Sequence, residues 1–286
     1  MSKVIFIGEC ALQVTFTDAT PHIPAQATFD VHGTLPGAAC LCAGKHSLAT
    51  SMVGETARDF LGDMLVERME ACGVETRSID RFTEGGATTV VFSAPGSEEV
   101  IHSRVPDQDF DTVWPRVDPG DIVVFGGFFA IRERSRRAVL DIINHAADRK
   151  ATVIYVPGFP ASLAPRITKV MPAILENLEL AQLVITTTGD LRRIFGTESP
   201  ENAFRENICF HTPAAINIDT ATGRLSLMAG NYAEHTDTPE NVRSVPQVLA
   251  AVIKAVESLH ITLELLPILP QALAAQILST ASKEIV

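Results

Sequence analysis

Short runs of apolar residues alternate along the chain with longer stretches in which apolar positions recur every three or four residues. The short runs, at residues 4–7, 121–125, 152–156, 183–187, 214–218 and 224–228, read as strands. The longer stretches read as helices over 38–49, 59–72, 131–147 and 245–259. In the second of these Leu61, Leu65, Met69 and Cys72 form one stripe that stops at Gly73, a helix-ending residue. In the third, Val139, Ile142, Ile143 and Ala146 share a face. Strands alternating with helices predict a mostly parallel central sheet covered on both faces, a three-layer α/β body.

Two segments break the alternation. Residues 15–32 and 88–104 are rich in β-branched residues, lack helical period and carry turn signals at Pro21, Pro24 and Pro95-Gly96-Ser97. They are expected to form a small antiparallel flap that projects from the main sheet as a lid. Such a flap would expose Phe16, Phe29, Val90, Val91 and Phe92 on one side or the other, so a homodimer that covers it is expected. The uncharged stretch 265–282 approaches membrane-spanning length, but Pro267, Pro270, Gln271 and Gln276 make it too polar. It reads as a loop and a terminal helix, with Leu273, Ala274, Ile277 and Leu278 on its buried face.

At 286 residues the chain is long enough for one large α/β domain over 1–286, the expected organisation. A net charge of −11 repels phosphate backbones and argues against nucleic acid as a partner. The five cysteines are odd in number and scattered, which suggests reduced thiols in a cytoplasm; Cys40 and Cys42 lack the spacing and the second pair of a zinc site. The first apolar run is broken by Glu9, which is no secretory signal, so a cytoplasmic protein with no membrane partner is expected. Arg132, Arg134, Arg136 and Arg137 open one helix and read as its solvated face, with an anion site as the alternative.

Generic chemical motifs are missing. No G-x-G-x-x-G follows a strand, and the glycines at 37 and 44, followed by Lys45, are too far apart for a P-loop and lead to His46 in place of a hydroxyl. There is no G-x-S-x-G and no H-E-x-x-H, and the eight histidines have no metal-ligand spacing, so no resident metal site is expected.

Three stretches do carry a resemblance. The start VIFIGEC ends in Gly8-Glu9, LPGAACLCAG keeps Gly37 and Ala38, and MVGETARDFLGDMLVERMEACGVET over 52–76 keeps Gly54, Asp59, Gly62 and Gly73-Val74. In this order, and over nearly the whole chain, they resemble the ribokinase-like (PfkB) carbohydrate kinases. The resemblance implies a ribokinase-like fold with a small β lid over a sugar cleft, often used for dimerisation. It also implies ATP-dependent phosphoryl transfer to a sugar hydroxyl, with ATP and Mg as cofactors and a small sugar-like ligand as partner.

The departures from the family pattern bear on activity. The late D-T-x-G-A-G-D motif, source of the catalytic base and anion hole, reads Asp237-Thr238-Pro239-Glu240-Asn241-Val242-Arg243 here. Arg243 stands near the position of the expected Asp, and a guanidinium cannot accept a proton. Asp237 and Glu240 are the nearest substitutes in sequence. By the same resemblance the substrate cleft holds Gln13 in place of an Asp, Gly37, and Leu41 in place of an Asn; Val156-Pro157-Gly158 replaces Asp-Pro-Asn. On the nucleotide and metal side, Thr187-Thr188-Gly189-Asp190 stands for N-x-x-E, although Asp190 also reads as a cap on its own helix. Ser244 to Gln247 reads as an S-x-x-Q capping box. Loss of a general base alone lowers a rate about 10²–10⁴-fold, so a weakly active or inactive kinase relative is expected. The alternatives are an active sugar kinase with a relocated base and a non-catalytic ligand- or partner-binding protein.

Overall fold

The computed structural model describes residues 2–16, 27–33, 35–46, 48–82, 88–94, 97–102, 109–238, 244–259 and 270–285. In chain order the strands and helices are β1 (Val4–Ile7), β2 (Cys10–Phe16), β3 (Ala27–Gly33), α1 (Leu35–Lys45), β4 (Thr50–Ala57), α2 (Phe60–Ala71), β5 (Val74–Phe82), β6 (Thr89–Ala94), β7 (Ser97–His102) and β8 (Ile122–Gly126). They continue with α3 (Glu133–Asp148), β9 (Thr152–Val156), α4 (Ile167–Leu180), β10 (Leu183–Thr187), α5 (Thr188–Phe195), α6 (Pro200–Glu206), β11 (Ala214–Asp219), β12 (Arg224–Ala229), β13 (Tyr232–Asp237), α7 (Val245–Ser258) and α8 (Pro270–Glu284).

Nine strands form the central sheet in the order β13-β12-β11-β10-β9-β8-β1-β4-β5. All neighbours from β11 to β5 run parallel, and only β12 and β13 join antiparallel. Because successive side chains of a strand point to opposite faces, β1 sends Val4 and Phe6 into one core and Ile5 and Ile7 into the other. Residues of α1, α2, α7 and α8 fill the first core and residues of α3, α4, α5 and α6 the second. Ala274, Ile277 and Leu278 of α8 are buried as their spacing requires, and no helix among the described residues is long and apolar enough to cross a membrane.

A second sheet of four strands has the order β3-β2-β6-β7. Its first strand starts at Cys10, earlier than the expected flap, and its central pair β2–β6 is parallel while the outer pairs are antiparallel. The Pro21, Pro24 and Pro95-Gly96 turns lie outside the described residues. The short Gly8-Glu9 link joins β1 of the body directly to β2 of this lid sheet.

Two expectations are corrected. Ser244 precedes α7 in extended conformation, but its side chain makes no cap hydrogen bond; its carbonyl accepts from Val248 N at 3.2 Å. Pro246 occupies the first turn, so one of the amides a capping box would face is missing there. The arginines of 132–137 are not one solvated face either. Arg136, only 16% exposed, donates to Ala130 O at 2.7 Å and Asn177 Oδ1 at 2.9 Å and pairs with Glu176. Arg132, which precedes α3, is turned toward the end of the sheet.

Candidate ligand crevice at the switch point of the sheet

From β1 the chain first moves to one side, laying down β4 and β5; it then returns to place β8 on the other side of β1 and continues outward through β11. The direction therefore reverses between β1 and β8. Helices that leave two neighbouring strands on opposite sides open a crevice at their carboxyl ends, the place where doubly wound sheets bind ligands.

The chain puts charge at that place. Glu9 follows β1, Glu55 lies near the end of β4, and Arg132 follows the turn after β8. Arg132 Nη2 donates to Glu55 Oε1 at 2.5 Å, with side chains 15% and 4% exposed, and the guanidinium lies 5.1 Å from the centre of the Phe129 ring. Glu9 is buried beside them. Burial pushes its carboxyl up from 4.5 to about 7; Arg132 opposes that rise and the like charge of Glu55 adds to it. The main chain here is tightly enclosed. A Cβ at Gly37 would sit 2.4 Å from Glu9 O and one at Gly54 would sit 2.7 Å from Gly8 O, so α1 and β4 can close on the link only as glycines.

Further along the same edge, at the end of β10, Thr187 and Asp190 form a reciprocal capping box on α5. Thr187 Oγ1 accepts from Asp190 N at 3.1 Å, while Asp190 Oδ2 accepts from Thr187 N at 3.0 Å and from its hydroxyl at 2.9 Å. Asp190 Oδ1 accepts from Phe159 N at 2.7 Å, which ties the loop after β9 to the start of α5. Arg193 completes the tie by donating to Phe159 O at 3.0 Å. Burial raises the Asp190 carboxyl above its ordinary value, against the hydrogen bonds from Thr187 and Phe159 and the nearby charge of Arg193.

Residues 1–208, which run from β1 past α6, match the family described as pfkB family carbohydrate kinase. The chain belongs to the pfkB family. Solved structures of similar shape include fructokinase with bound ATP from Xylella fastidiosa, 14% identical with a TM-score of 0.77 over 100% of this chain and 93% of that one. Fructokinase from Vibrio cholerae O395 in its fructose-, ADP- and calcium-bound form is 14% identical, with a TM-score of 0.79 over 100% and 90%. Aminoimidazole riboside kinase from Salmonella enterica, complexed with aminoimidazole riboside and an ATP analogue, is 15% identical with a TM-score of 0.78 over 99% and 92%. No curated protein matches the sequence.

The residues that the pfkB pattern singles out do not fall together in one place. Gln13 is half-buried on β2, in register with Asp30 of β3 and Val91 of β6. Gly37 closes on the Glu9 backbone, and Leu41, 6% exposed, is part of the apolar core. Thr187 and Asp190 stand at β10, two strands beyond β8. Asp237 ends β13 at the rim of the sheet, 83% exposed and 3.8 Å from Arg224 Nε. Glu240 and Arg243 lie outside the described residues. The structure thus places Gly37 against the β1–β2 link and Gln13 within the lid sheet, and leaves Asp190 at β10 and Asp237 at the end of β13. Glu55 and Arg132 were missed as site residues. Their one sequence signal is a charged residue at the end of an otherwise apolar run, at Glu55 after 52–54 and at Arg132 after 127–131.

Proposed function

We propose that this protein is a pfkB-family scaffold in which phosphoryl transfer is lost or nearly lost, and that the crevice under the lid receives a small sugar-like ligand. The observation that carries the reading is Asp190: both of its oxygens are engaged by its own cap and by Phe159 N. A carboxylate so committed does not fit a magnesium-organising role, and Thr187 offers a hydroxyl already bonded within the same cap. Among the described residues no group of three His, Cys, Asp or Glu could hold a metal. The Pro239 to Arg243 sequence supports the same reading, since it offers neither the glycines of an anion hole nor an acid at the expected place. ATP and Mg remain the ligands of the family reaction, but these side chains are a poor match for them.

Two finer expectations belong to the same proposal. The lid is a homodimer surface, supported by Phe16 and Phe92, whose rings stack at 6.2 Å on half-buried positions of β2 and β6; a monomer by light scattering at micromolar concentration would overturn it. The five cysteines are free thiols, which supports a cytoplasmic site of action.

The test is an assay of the purified protein with ATP and magnesium against a panel of ketose, aldose and riboside substrates, with a parallel thermal-shift series. The expected result is no transfer above background and a rise in melting temperature with at least one sugar, because a ligand that binds only the folded state stabilises it by mass action. Turnover near ~1 s⁻¹, the ordinary range for kinases, would overturn the inactive reading. Asp237→Asn, Glu240→Gln and Asp190→Asn, made singly, would then identify the relocated base.

A further inference from the structure

At the rim of the central sheet a cleft of about 450 Å³ opens between β5 and the segment 109–117, which forms neither helix nor strand. That segment is a fixed wall. Phe110 and Val117 are buried in the second core, Phe110 edge-on to Phe129 at 4.8 Å between ring centres. Between them Thr112 Oγ1 donates to Ser78 O at 2.7 Å and Asp111 N donates to Asp80 Oδ2 at 3.2 Å. Three guanidiniums and two carboxylates line the cleft, with Ile79 and Val113 as its apolar part. Most of that charge is already matched: Arg81 Nη2 donates to Asp63 Oδ1 at 2.6 Å and to Ala57 O at 3.1 Å, Arg77 pairs with Glu75, and Asp80 holds the amide of Asp111. Arg58 and the carboxylate of Asp111 are left. Among the described residues neither side chain makes a hydrogen bond or an ion pair, although both line the same cleft. We propose that this cleft binds a small zwitterion of the amino-acid class, with its carboxylate on Arg58, its ammonium on Asp111 and an apolar side chain against Ile79 and Val113.

The charge pattern selects the ligand. Arg58, Arg77 and Arg81 are set against Asp63, Glu75, Asp80 and Asp111, so the charges nearly balance. A plain anion or a plain cation would satisfy one of the two free groups and oppose the other. A molecule that carries both charges satisfies both, and a carboxylate on a guanidinium can gain two parallel hydrogen bonds. The volume falls in the range of small-molecule sites. Apolar surface gathers at the same place. Of the five large apolar side chains exposed among the described residues, Phe60 and Leu61 closely follow Arg58, and Val113 and Trp114 closely follow Asp111. Exposed apolar surface concentrated in one patch marks a place of contact with a ligand. The cleft lies on the rim strand, with β4 between it and β1, and it shares no residue with the switch-point crevice. The inference is therefore independent of what the crevice binds and of phosphoryl transfer.

Trp114 is the single tryptophan of the chain and adjoins Val113, so its emission reports on the wall of the cleft. Leucine titrated to about 20 mM, which covers the weak end of affinity for so small a ligand, should change that emission to saturation and raise the melting temperature. Leucinamide, which lacks the carboxylate, and isocaproate, which lacks the ammonium, should do neither. Dileucine carries the two charges on a longer frame: a stronger response to leucine assigns the site to free amino acids, and a stronger response to dileucine assigns it to short peptides, both being the zwitterion proposed. Arg58 and Asp111 are exposed, so Arg58→Gln and Asp111→Asn should fold as the wild type does. Each should weaken the response at least about tenfold, the loss of a hydrogen bond to a charged group. No response to leucine or dileucine, an equal response to leucinamide or isocaproate, or undiminished binding in either variant would overturn the proposal. If one variant fails to fold, the other decides alone: weakened binding supports the site and unchanged binding overturns it.

Discussion

Glu9 is a residue whose solitary chemistry and folded chemistry differ. Its native carboxyl keeps a proton up to about pH 7, whereas the unfolded chain releases it near 4.5. Between those values the native state binds more protons than the unfolded state, so stability falls as pH rises through this window and the loss is complete above it. Glu9→Gln removes that dependence. The difference in melting temperature between the variant and the wild type should therefore grow in the variant's favour from pH 5 to pH 8, measured by calorimetry in matched buffers. Arg132→Met acts in the opposite sense by removing the guanidinium that pairs with the buried Glu55 carboxylate, and denaturant unfolding at neutral pH should show a loss of about 3–5 kcal/mol.

At the scale of elements, caps separate features that sequence patterns make look alike. Asp59 precedes α2 and accepts from Gly62 N at 2.9 Å, whereas Ser244 precedes α7 with no side-chain bond. Asp59→Ala should cost about 1 kcal/mol, and Ser244→Ala should stay within about 0.5 kcal/mol, both by urea denaturation. The strands that the sequence made legible were those with apolar runs on both faces: β1, β9 and β10 begin and end where their runs do. Missed were β5 and β13, which lie at the two rims of the sheet; β13 alternates half-buried and exposed positions, and β5 carries Glu75, Arg77, Asp80 and Arg81. Charge on rim strands discourages pairing with other chains and at the same time hides the strand from a hydrophobicity pattern. β4 was missed because Gly54 and Glu55 interrupt it. The helix α4 carries an internal Pro172, which disguises its period. The same limit applied at the site. The T-x-x-D cap at Thr187 was readable because its partners are three residues apart, while Arg132 and Glu55 are 77 apart and meet only through the fold.

The whole molecule pairs a body of largely local parallel steps with a lid assembled from distant pieces. Its family membership and three-layer architecture were legible because they depend on the order of elements, which survives extensive substitution. The position of the lid relative to the body was not, because a link of two residues gives no periodicity to read.

The parallel β2–β6 ladder sets Ala11 opposite Thr89, 78 residues away, with β4, α2 and β5 completed in between. Closing so long a loop is slow to be repaid by contacts, so the order of events in folding is set by topology: the body's β1–β4–β5 units come first and the lid is added last. Val14, at the centre of β2 and paired with both Phe29 and Phe92, is a probe of that order. Stopped-flow measurements on Val14→Ala should show faster unfolding with the folding rate within about twofold of wild type. Until that last step the apolar side chains of two unpaired strands face water on a newly made chain, and it is during synthesis, not in the finished protein, that this molecule is most exposed to aggregation.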